Sequence, residues 1–280
     1  MSTRDAESLG IAARDLAFAF GARPVVSGVT LDVRSGEIVG LVGPNGSGKS
    51  TIVRLLSGVL AGYRGSARVL GREVREVAPR ELARTLAVVP QEPVFGFAFR
   101  AREIVLMGRH PHLAGLAFES ERDLALAERA LERCGAAQLG GRSIHELSAG
   151  ERQRIVFARA LAQDPRVLLL DEPASFLDIR HQIELYDVVR ELAADQRVAV
   201  LTVLHDLNLA AEYCDRIYLL RDGRIAAGGP TAEVLTHANL ERVFDTEVYV
   251  DVNARTGKML VVPLPGRLRR GQVRGSDPDA

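Results

Sequence analysis

The chain has 280 residues, is 47% hydrophobic, and carries 36 basic and 36 acidic residues for a formal net charge of zero. Its length allows one large domain or two small ones with a buried core, and its balanced charge argues against a nucleic-acid-binding face, which would show a basic excess. The first residues lack the apolar segment of a signal peptide, and no apolar run approaches the ~20 residues that span a bilayer. We therefore expect a cytosolic chain that meets membranes only through a partner.

Two strand-rich segments open the chain. Residues 11–42 alternate apolar and polar positions around turns at residues 21–24 and 35–36. That alternation predicts antiparallel strands that lead into a buried strand. Residues 63–90 give two further strand signals, the second of which ends at Pro90.

A helical segment follows, and strands and helices alternate after it. The pattern is helical over residues 100–146, where residues 119–134 have the 3.6-residue period of an amphipathic helix. We expect this segment to be an insertion between two halves of an α/β core. The alternation beyond it predicts βαβ units and a mainly parallel sheet. Its elements are a helix at 151–163, a strand at 166–171, a helix at 180–194, a strand at 197–204 and a helix at 206–214.

The last part of the chain returns to short strands over residues 216–262, with one small helix near residues 231–237. From Pro263 onward the composition is rich in Arg, Gly, Pro and Asp, which is typical of a mobile tail. Cys134 and Cys214 lie far apart in the sequence, and we expect both to be buried small apolar residues rather than a disulfide or a metal pair.

A phosphate-binding loop occupies Gly43 to Ser50, which read Gly-Pro-Asn-Gly-Ser-Gly-Lys-Ser between a strand-like and a helix-like run. Its glycines let backbone N–H groups surround the α- and β-phosphates, and the helix N-terminus adds a favourable dipole. Lys49 would reach the β- and γ-phosphates, and the hydroxyl of Ser50 would bind Mg²⁺. Of the 36 basic residues only Lys49 and Lys258 are lysine, so lysine is kept where a compact ammonium suits a phosphate. The loop predicts nucleoside triphosphate binding by Gly43, Pro44, Asn45, Gly46, Ser47, Gly48, Lys49, Ser50 and Thr51.

An acidic motif follows about 120 residues after the phosphate loop, where the apolar run Val167–Leu170 ends in Asp171 and Glu172. A buried strand would hold Asp171 near the Mg²⁺ ion, where it acts directly or through water. Glu172, at the strand tip, would be the general base for the attacking water, a role that contributes roughly 10²–10⁴-fold to rate. The alternative, a strand that merely ends in surface acids, is disfavoured by the phosphate loop upstream.

Leu147 to Glu151, Leu-Ser-Ala-Gly-Glu, opens the next helix. Ser148 and Glu151 fit a helix capping box, which is the purely structural interpretation, although a capped helix N-terminus is also an anion site. With this motif in place, the sequence resembles the nucleotide-binding subunit of an ATP-binding cassette (ABC) transporter, whose signature loop reads Leu-Ser-Gly-Gly-Gln. The resemblance covers residues from about 11 to 250, with the motifs in the family order.

The resemblance implies an ABC ATPase fold of the α/β class. This fold is a P-loop NTPase core with a mainly parallel sheet, an N-terminal antiparallel β subdomain and a helical insertion. On that basis residues 11–262 form a single ATP-binding domain. Its core spans residues from about 11 to 100 and from 147 to 262, its helical subdomain covers about 100–146, and residues 263–280 form the mobile tail.

Family roles carry over to four further positions. Gln91 matches the glutamine loop, which senses Mg²⁺ and water and faces the membrane partner. His205 matches the switch histidine that contacts the γ-phosphate, and Asp178 ends the Ser175–Asp178 loop that crosses a dimer interface. Phe20 matches the aromatic residue that stacks on adenine, although core packing by Phe20 or its neighbour Phe18 is a serious alternative.

The resemblance also implies a head-to-tail homodimer that binds ATP and Mg²⁺. The phosphate loop of one chain and the Ser148–Gly150 loop of the other would enclose each ATP, and hydrolysis would release the dimer. Three positions depart from the family pattern: Ala149 replaces a glycine, Glu151 replaces the glutamine, and Ala174 stands where threonine is frequent. Because Ser148 and Gly150 remain, we expect activity.

The segment after the glutamine loop indicates a subfamily. Phe95–Phe99 and Arg102–His112 resemble the cassette subunits of bacterial importers for iron–siderophore, haem and cobalamin. These aromatic residues would contact a membrane partner or pack beneath the helical insertion, and the two interpretations are compatible. His110 and His112 lack acidic or cysteine partners nearby in sequence, which disfavours a metal site.

The importer interpretation implies integral-membrane permease subunits as partners, an indirect link to a periplasmic or lipoprotein substrate-binding protein, no nucleic acid, and a peripheral position on the cytoplasmic face of the inner membrane. One alternative is a soluble ABC ATPase that acts on ribosomes, DNA or iron–sulfur assembly. Another is a non-hydrolysing scaffold, which the presence of Glu172 and His205 argues against. An exporter stays open, as does the choice among the three cargoes, with iron chelates favoured.

Overall fold

A computed structural model describes residues 9–113 and 118–265. Within these ranges the chain forms twelve strands: β1 (Leu9–Phe20), β2 (Arg23–Arg34), β3 (Ile38–Val42), β4 (Arg64–Val69), β5 (Arg72–Glu73), β6 (Leu86–Val89), β7 (Val167–Asp171), β8 (Ala199–Leu204), β9 (Arg216–Arg221), β10 (Arg224–Pro230), β11 (Val248–Val252) and β12 (Met259–Pro263).

The α-helices in the same ranges are α1 (Lys49–Leu56), α2 (Pro79–Leu82), α3 (Ala101–Leu106), α4 (Glu121–Arg133), α5 (Ala149–Ala162), α6 (Ile179–Gln196), α7 (Leu207–Tyr213), α8 (Thr231–Val234) and α9 (His237–Phe244). Short 3₁₀ turns cover Val74–Glu76, Met107–His112, Ala137–Leu139 and Ile144–Glu146. None of the described helices is long and apolar enough to cross a membrane.

A six-stranded sheet forms the centre of the fold, in the order β10-β9-β3-β8-β7-β6. Its strands are parallel except for the antiparallel pair β9 and β10. Strands β3, β7 and β8 are buried along their whole length, as expected for parallel strands that are covered on both faces. Val42 pairs with Leu204, and Val203 pairs with Asp171, so the carboxyl ends of these three strands meet at one edge. That edge carries the phosphate loop and both acidic residues.

A separate antiparallel sheet, in the order β2-β1-β4-β5, covers one face of the central sheet. The two sheets share a single apolar cluster, which includes Ile11 and Leu31 from the antiparallel sheet, Val39 and Leu201 from the parallel sheet, and Ile52 from α1. The mixed α/β fold with an antiparallel N-terminal unit therefore confirms the predicted fold class.

The helices between β6 and β7 have a core of their own. Ile104 on α3, Leu131 on α4 and Ile155 on α5 belong to one buried cluster. Helix α5 also supplies Val156 and Phe157 to the core under the central sheet. By packing, α5 therefore belongs to both units and joins them, whereas a subdomain boundary near residue 146 stays a prediction.

Several details differ from the sequence-based expectation. Two helices, α8 and α9, occupy the region where one small helix was predicted, and the chain then forms the β11–β12 hairpin. The short helix α2 was not predicted. Both cysteines are free, but only Cys214 is buried, while Cys134 is partly exposed. Of the predicted mobile tail, residues 266–280 lie outside the described residues.

Candidate nucleotide-binding site

The phosphate loop requires glycine for two separate reasons. Gly46 and Gly48 have positive φ angles of 77° and 107°, a conformation that side chains disfavour. A Cβ atom on Gly43 would lie 2.1 Å from the carbonyl oxygen of Leu220, and one on Gly48 would lie 2.9 Å from that of Val25. The loop is therefore seated against the ends of β9 and β2, with no room for a side chain at either contact.

Lys49 is buried at the first position of α1. Its Nζ atom donates hydrogen bonds to the carbonyl oxygens of Gly43 at 2.8 Å and Pro44 at 3.0 Å. Burial lowers the pKa of the ammonium group, while the nearby charges of Glu172 and Asp171 act in the opposite direction. The loop's own carbonyls thus hold the ammonium in place at its mouth.

A cavity of about 770 Å³ opens above the loop, within the size range of small-molecule sites. Phe20 is 50% exposed there, whereas Phe18 packs against the core with the two ring centroids 4.9 Å apart. Phe20 is therefore free to contact a ligand in a way that Phe18 is not. The cavity is lined by Phe20, Arg23, Val25, Asn45, Gly46, Gly48, Lys49, Ser50, Thr51, Gln91, Glu172 and His205.

Asp171 is buried at the end of β7 and accepts a hydrogen bond of 3.0 Å from the Ser50 hydroxyl. Burial raises the pKa of its carboxyl group, and the bond from Ser50 opposes that rise. A carboxylate and a hydroxyl that lie side by side are hard oxygen donors of the kind that Mg²⁺ prefers. The donor set of Ser50 and Asp171 therefore fits a magnesium ion, with the Gln91 side chain in the adjoining cavity.

Glu172 is the meeting point of three chain segments. Its carboxylate accepts a hydrogen bond of 2.6 Å from Nε2 of Gln91 and pairs with Nε2 of His205. Its backbone has a positive φ of 52°, and its side chain is only 10% exposed. The structure thus brings together Gln91, Glu172 and His205, which the sequence separates by 81 and 33 positions.

The Ser148–Gly150 loop forms the helix cap that the sequence allowed. Ser148 Oγ accepts from the backbone N–H of Glu151 at 3.2 Å, and Glu151 Oε2 accepts from that of Ser148 at 2.8 Å. Ala149 is exposed. A Cβ atom on Gly150 would lie 2.9 Å from the Phe176 carbonyl oxygen, so the Ser175–Asp178 loop packs directly on this glycine.

Asp178 caps helix α6 by accepting a hydrogen bond of 2.9 Å from the backbone N–H of His181. In the described chain Ser148, Gly150 and Asp178 do not line the cavity above the phosphate loop. A contact between these residues and a nucleotide stays a prediction.

Three residues near the site were not singled out from the sequence. Arg23 and Val25 line the cavity, and a turn followed by strand residues gave no signal for either. Gln153, which is buried on α5, contacts the carbonyl oxygen of Pro90 beside Gln91. No feature of the sequence predicted this burial, because Gln153 stands between two arginines and glutamine is seldom fully buried.

The phosphate loop between β3 and α1, together with the acid-tipped β7, defines a P-loop NTPase of the α/β class. The family model for the ABC transporter matches residues 26–175. The chain therefore belongs to the ABC transporter family.

Relatives extend the similarity over most of the chain. It is 46% identical over 252 residues to the hemin import ATP-binding protein HmuV of Streptomyces coelicolor, covering 90% of this chain and 89% of that protein. It is 43% identical over 243 residues to the cobalamin import ATP-binding protein BtuD of Halobacterium salinarum, covering 87% of this chain. The chain spans 61% of the length of that BtuD protein.

A solved structure has the same fold over nearly the whole chain. It is an inward-facing ABC transporter of proposed metal-chelate type, with a TM-score of 0.81 and 28% identity, and the match covers 93% of this chain and 99% of that one.

Proposed function

We propose that this protein is the ATP-hydrolysing, energy-coupling subunit of a membrane ABC importer. The observation that carries the proposal is the convergence of Gln91, Glu172 and His205 at the mouth of the phosphate loop. Beside a phosphate cradle, a carboxylate can act as the general base toward water, and an amide and an imidazole can orient the water and the phosphate. The similarity to import ATP-binding proteins supports the same conclusion.

In this mechanism Lys49 exchanges its bonds to the loop carbonyls for bonds to the β- and γ-phosphates of ATP. Ser50, Asp171 and Gln91 would hold Mg²⁺, which supplies positive charge that offsets the charge of the phosphates. The Glu172 carboxylate orients the attacking water and accepts its proton, and His205 Nε2 contacts the γ-phosphate. Both Gln91 and His205 must first give up the hydrogen bonds that they now make with Glu172.

The working unit is a head-to-tail homodimer in which residues 11–262 act as one ATP-binding domain with a helical subdomain at about 100–146. Ser148, Gly150 and Asp178 of each copy would contact the ATP of the other, and Phe20 would stack on its own copy's adenine. The exposed side chains of Phe97 and Phe99 support docking to permease subunits near Gln91. This arrangement puts the protein at the cytoplasmic face of the inner membrane, with a substrate-binding protein linked only through the permease.

The cargo that fits best is a metal-containing chelate of the iron–siderophore, haem or cobalamin type. The support is that the relatives with high identity are named for hemin and cobalamin import. In this arrangement the cargo contacts only the permease and the binding protein, so its identity must be found through them.

The test is a comparison of Glu172→Gln with the wild type and with Glu191→Gln, an exposed acid on α6 (60% exposed) that serves as the control. We expect Glu172→Gln to bind ATP normally, to lose roughly 10²–10⁴-fold in turnover because the general base is gone, and to form a stable dimer with Mg-ATP. A tagged Glu172→Gln protein should also retain a multi-span permease from detergent-solubilised membranes. Normal hydrolysis by this variant, or recovery of ribosomal or iron–sulfur proteins without a permease, would contradict the proposal.

A further inference from the structure

Gln153 has a buried side-chain amide in which the nitrogen is hydrogen-bonded and the oxygen, within the part of the chain that the structure describes, is not. It lies about one turn into α5 and is 1% exposed. Its Nε2 atom donates a long hydrogen bond of 3.4 Å to the carbonyl oxygen of Pro90. Its Oε1 atom is buried and has no hydrogen-bond partner among the described residues.

A buried acceptor without a donor is costly, because it has lost water and gained nothing in exchange. Gln163 near the other end of α5 is a useful contrast. Its Nε2 atom donates to the carbonyl oxygens of Ala83 at 2.5 Å and Leu86 at 2.6 Å, so its amide simply fastens α5 to the start of β6. Where Gln163 makes two short hydrogen bonds, Gln153 makes one long bond. Its unmatched oxygen would gain a donor if the chain took up a second arrangement, which points to a role in both.

The contacts of Gln153 lead directly to the catalytic carboxylate. Pro90 is followed by Gln91, whose Nε2 atom is 2.6 Å from Glu172 Oε2. In the other direction, about one helix turn back along the chain, Ser148 caps the N-terminus of α5. One helix turn, the side chain of Gln153, one peptide unit and the side chain of Gln91 therefore connect Ser148 to Glu172.

We propose that Gln153 is a positioning residue that sets the place of Gln91 according to the position of α5, and thereby decides whether Gln91 stays bonded to Glu172 or releases it. In the nucleotide-bound arrangement its Oε1 atom accepts a backbone N–H from the segment after Pro90, at Gln91 or Glu92. Since Pro90 has no N–H to donate, the donor must come from these following residues. This inference rests on the proposed function, in which Ser148 contacts the nucleotide of the partner copy, and it adds that this contact shifts α5.

The first test uses Gln153→Met, which keeps the length of the side chain and removes both hydrogen-bonding atoms. We expect kcat to fall roughly ten- to hundredfold, as for a misplaced reacting group, while KM for ATP stays within about twofold because the phosphate loop is unchanged. Gln91→Ala should also lower kcat, and the Gln91→Ala, Gln153→Met double variant should be no slower than Gln91→Ala alone, because both residues act through one path.

Gln163→Met is the matched control on the same helix. It removes an amide that holds α5 without touching Pro90, so its effect on kcat should be small and should multiply with that of Gln91→Ala. An unchanged kcat in Gln153→Met, or independent effects of Gln153→Met and Gln91→Ala, would overturn the inference while leaving the proposed function intact.

A second measurement needs no variant. Backbone amide hydrogen exchange in the wild type should slow at least about tenfold at Gln91 or Glu92 when a non-hydrolysable ATP analogue and Mg²⁺ are added, because a new hydrogen bond protects the amide. Unchanged exchange at both amides, with the analogue bound, would overturn the inference. A wild type that fails to bind the analogue would overturn the proposed function and this inference together.

Discussion

The backbone of Glu172 is held in a left-handed conformation, with φ at 52°. Residues other than glycine adopt this conformation at a cost, and such positions cluster at functional sites. Here the geometry directs the carboxylate toward Gln91 and His205, and its backbone N–H still reaches the Val203 carbonyl oxygen at 3.2 Å. Of the seven described non-glycine residues with positive φ, Glu172 is the one that lines the cavity above the phosphate loop.

This strain predicts that glycine at position 172 gives a more stable protein than alanine, which is the reverse of the order inside a helix. Glu172→Gly should unfold at higher denaturant than Glu172→Ala, by about 1 kcal/mol, because glycine adopts positive φ without the penalty of a Cβ atom. At Glu191, inside helix α6, the order should be the usual one, with alanine more stable than glycine by about 1 kcal/mol. Urea unfolding of the four variants measures both differences. The same order at the two positions would show that Glu172 stores no strain.

At this scale the sequence predicted which residues meet but not how they are held. The phosphate loop motif predicted Lys49 and Ser50 as site residues, and the family pattern predicted Gln91 and His205. The left-handed backbone of Glu172 follows no local rule, since glutamate has no preference for it. Nor can a sequence show that a buried amide such as that of Gln153 has an unmatched atom.

At the scale of elements, a buried ion pair connects three parts of the helical unit between β6 and β7. Arg109 donates to Asp123 Oδ1 at 2.9 Å and to the carbonyl oxygen of Ala162 at 2.8 Å, and both charged side chains are nearly buried. The pair joins the turn at Met107–His112, the start of α4 and the end of α5. Hydrogen bonds from Ser120 and from Arg109 hold the pKa of the Asp123 carboxyl well below its usual range.

Asp123→Asn should therefore destabilise the protein by about 2–3 kcal/mol at neutral pH, because it leaves the Arg109 charge buried without its partner. The lowered pKa belongs to the folded state, so the stabilisation is complete above the unfolded pKa of about 3.9 and is lost as pH falls below it. The difference in free energy of unfolding between wild type and Asp123→Asn should therefore narrow below about pH 4. Denaturant unfolding at several pH values measures this difference.

The control is Glu184→Gln, since Glu184 belongs to an exposed pair with Arg180. A difference between wild type and Asp123→Asn that stays constant down to pH 3 would contradict this account.

The sequence predicted α4 from its period but could not predict this pair. Arg109 and Asp123 are 14 residues apart, and no helical or strand spacing relates them. The same limit applied to the β11–β12 hairpin. It packs on α7 through Asn208, whose side chain both donates to and accepts from the backbone of Val261 at 3.1 and 2.8 Å.

In the whole molecule, two sheets of different type share one core. The alternation of strands and helices predicted a mainly parallel sheet, since parallel strands need helical crossovers. The spatial order, in which β3 lies between β9 and β8, could not be read from the pattern, because each crossover can pass over several strands. Arg216 on β9 bridges the sheets by donating to Asp32 on β2 at 3.0 Å and to Glu37, which precedes β3, at 3.4 Å.

Removing that bridge should loosen the attachment of the two sheets to each other. Arg216→Met keeps the apolar stem but removes the cation that Asp32 and Glu37 share, and these carboxylates are 23% and 11% exposed. Asp32 then keeps only a longer contact of 3.9 Å with Arg14 among the described ion pairs. We expect a loss of about 2 kcal/mol, below the range for fully buried pairs because water still reaches the site. For a domain of this size that corresponds to a fall of roughly 4–8 °C in Tm.

Arg180→Met is the matched control, because Arg180 is 82% exposed and, among the described residues, its charge partners are Glu184 and Asp178 in and next to the same helix. Its effect on Tm should be close to zero, because an exposed ion pair contributes little to stability. Thermal unfolding followed by circular dichroism compares the two variants under one set of conditions. The Arg216 bridge stabilises the contact between the sheets only if Tm falls further in Arg216→Met than in Arg180→Met. Equal shifts would mean that the apolar cluster around Ile11 and Val39 alone holds the sheets together.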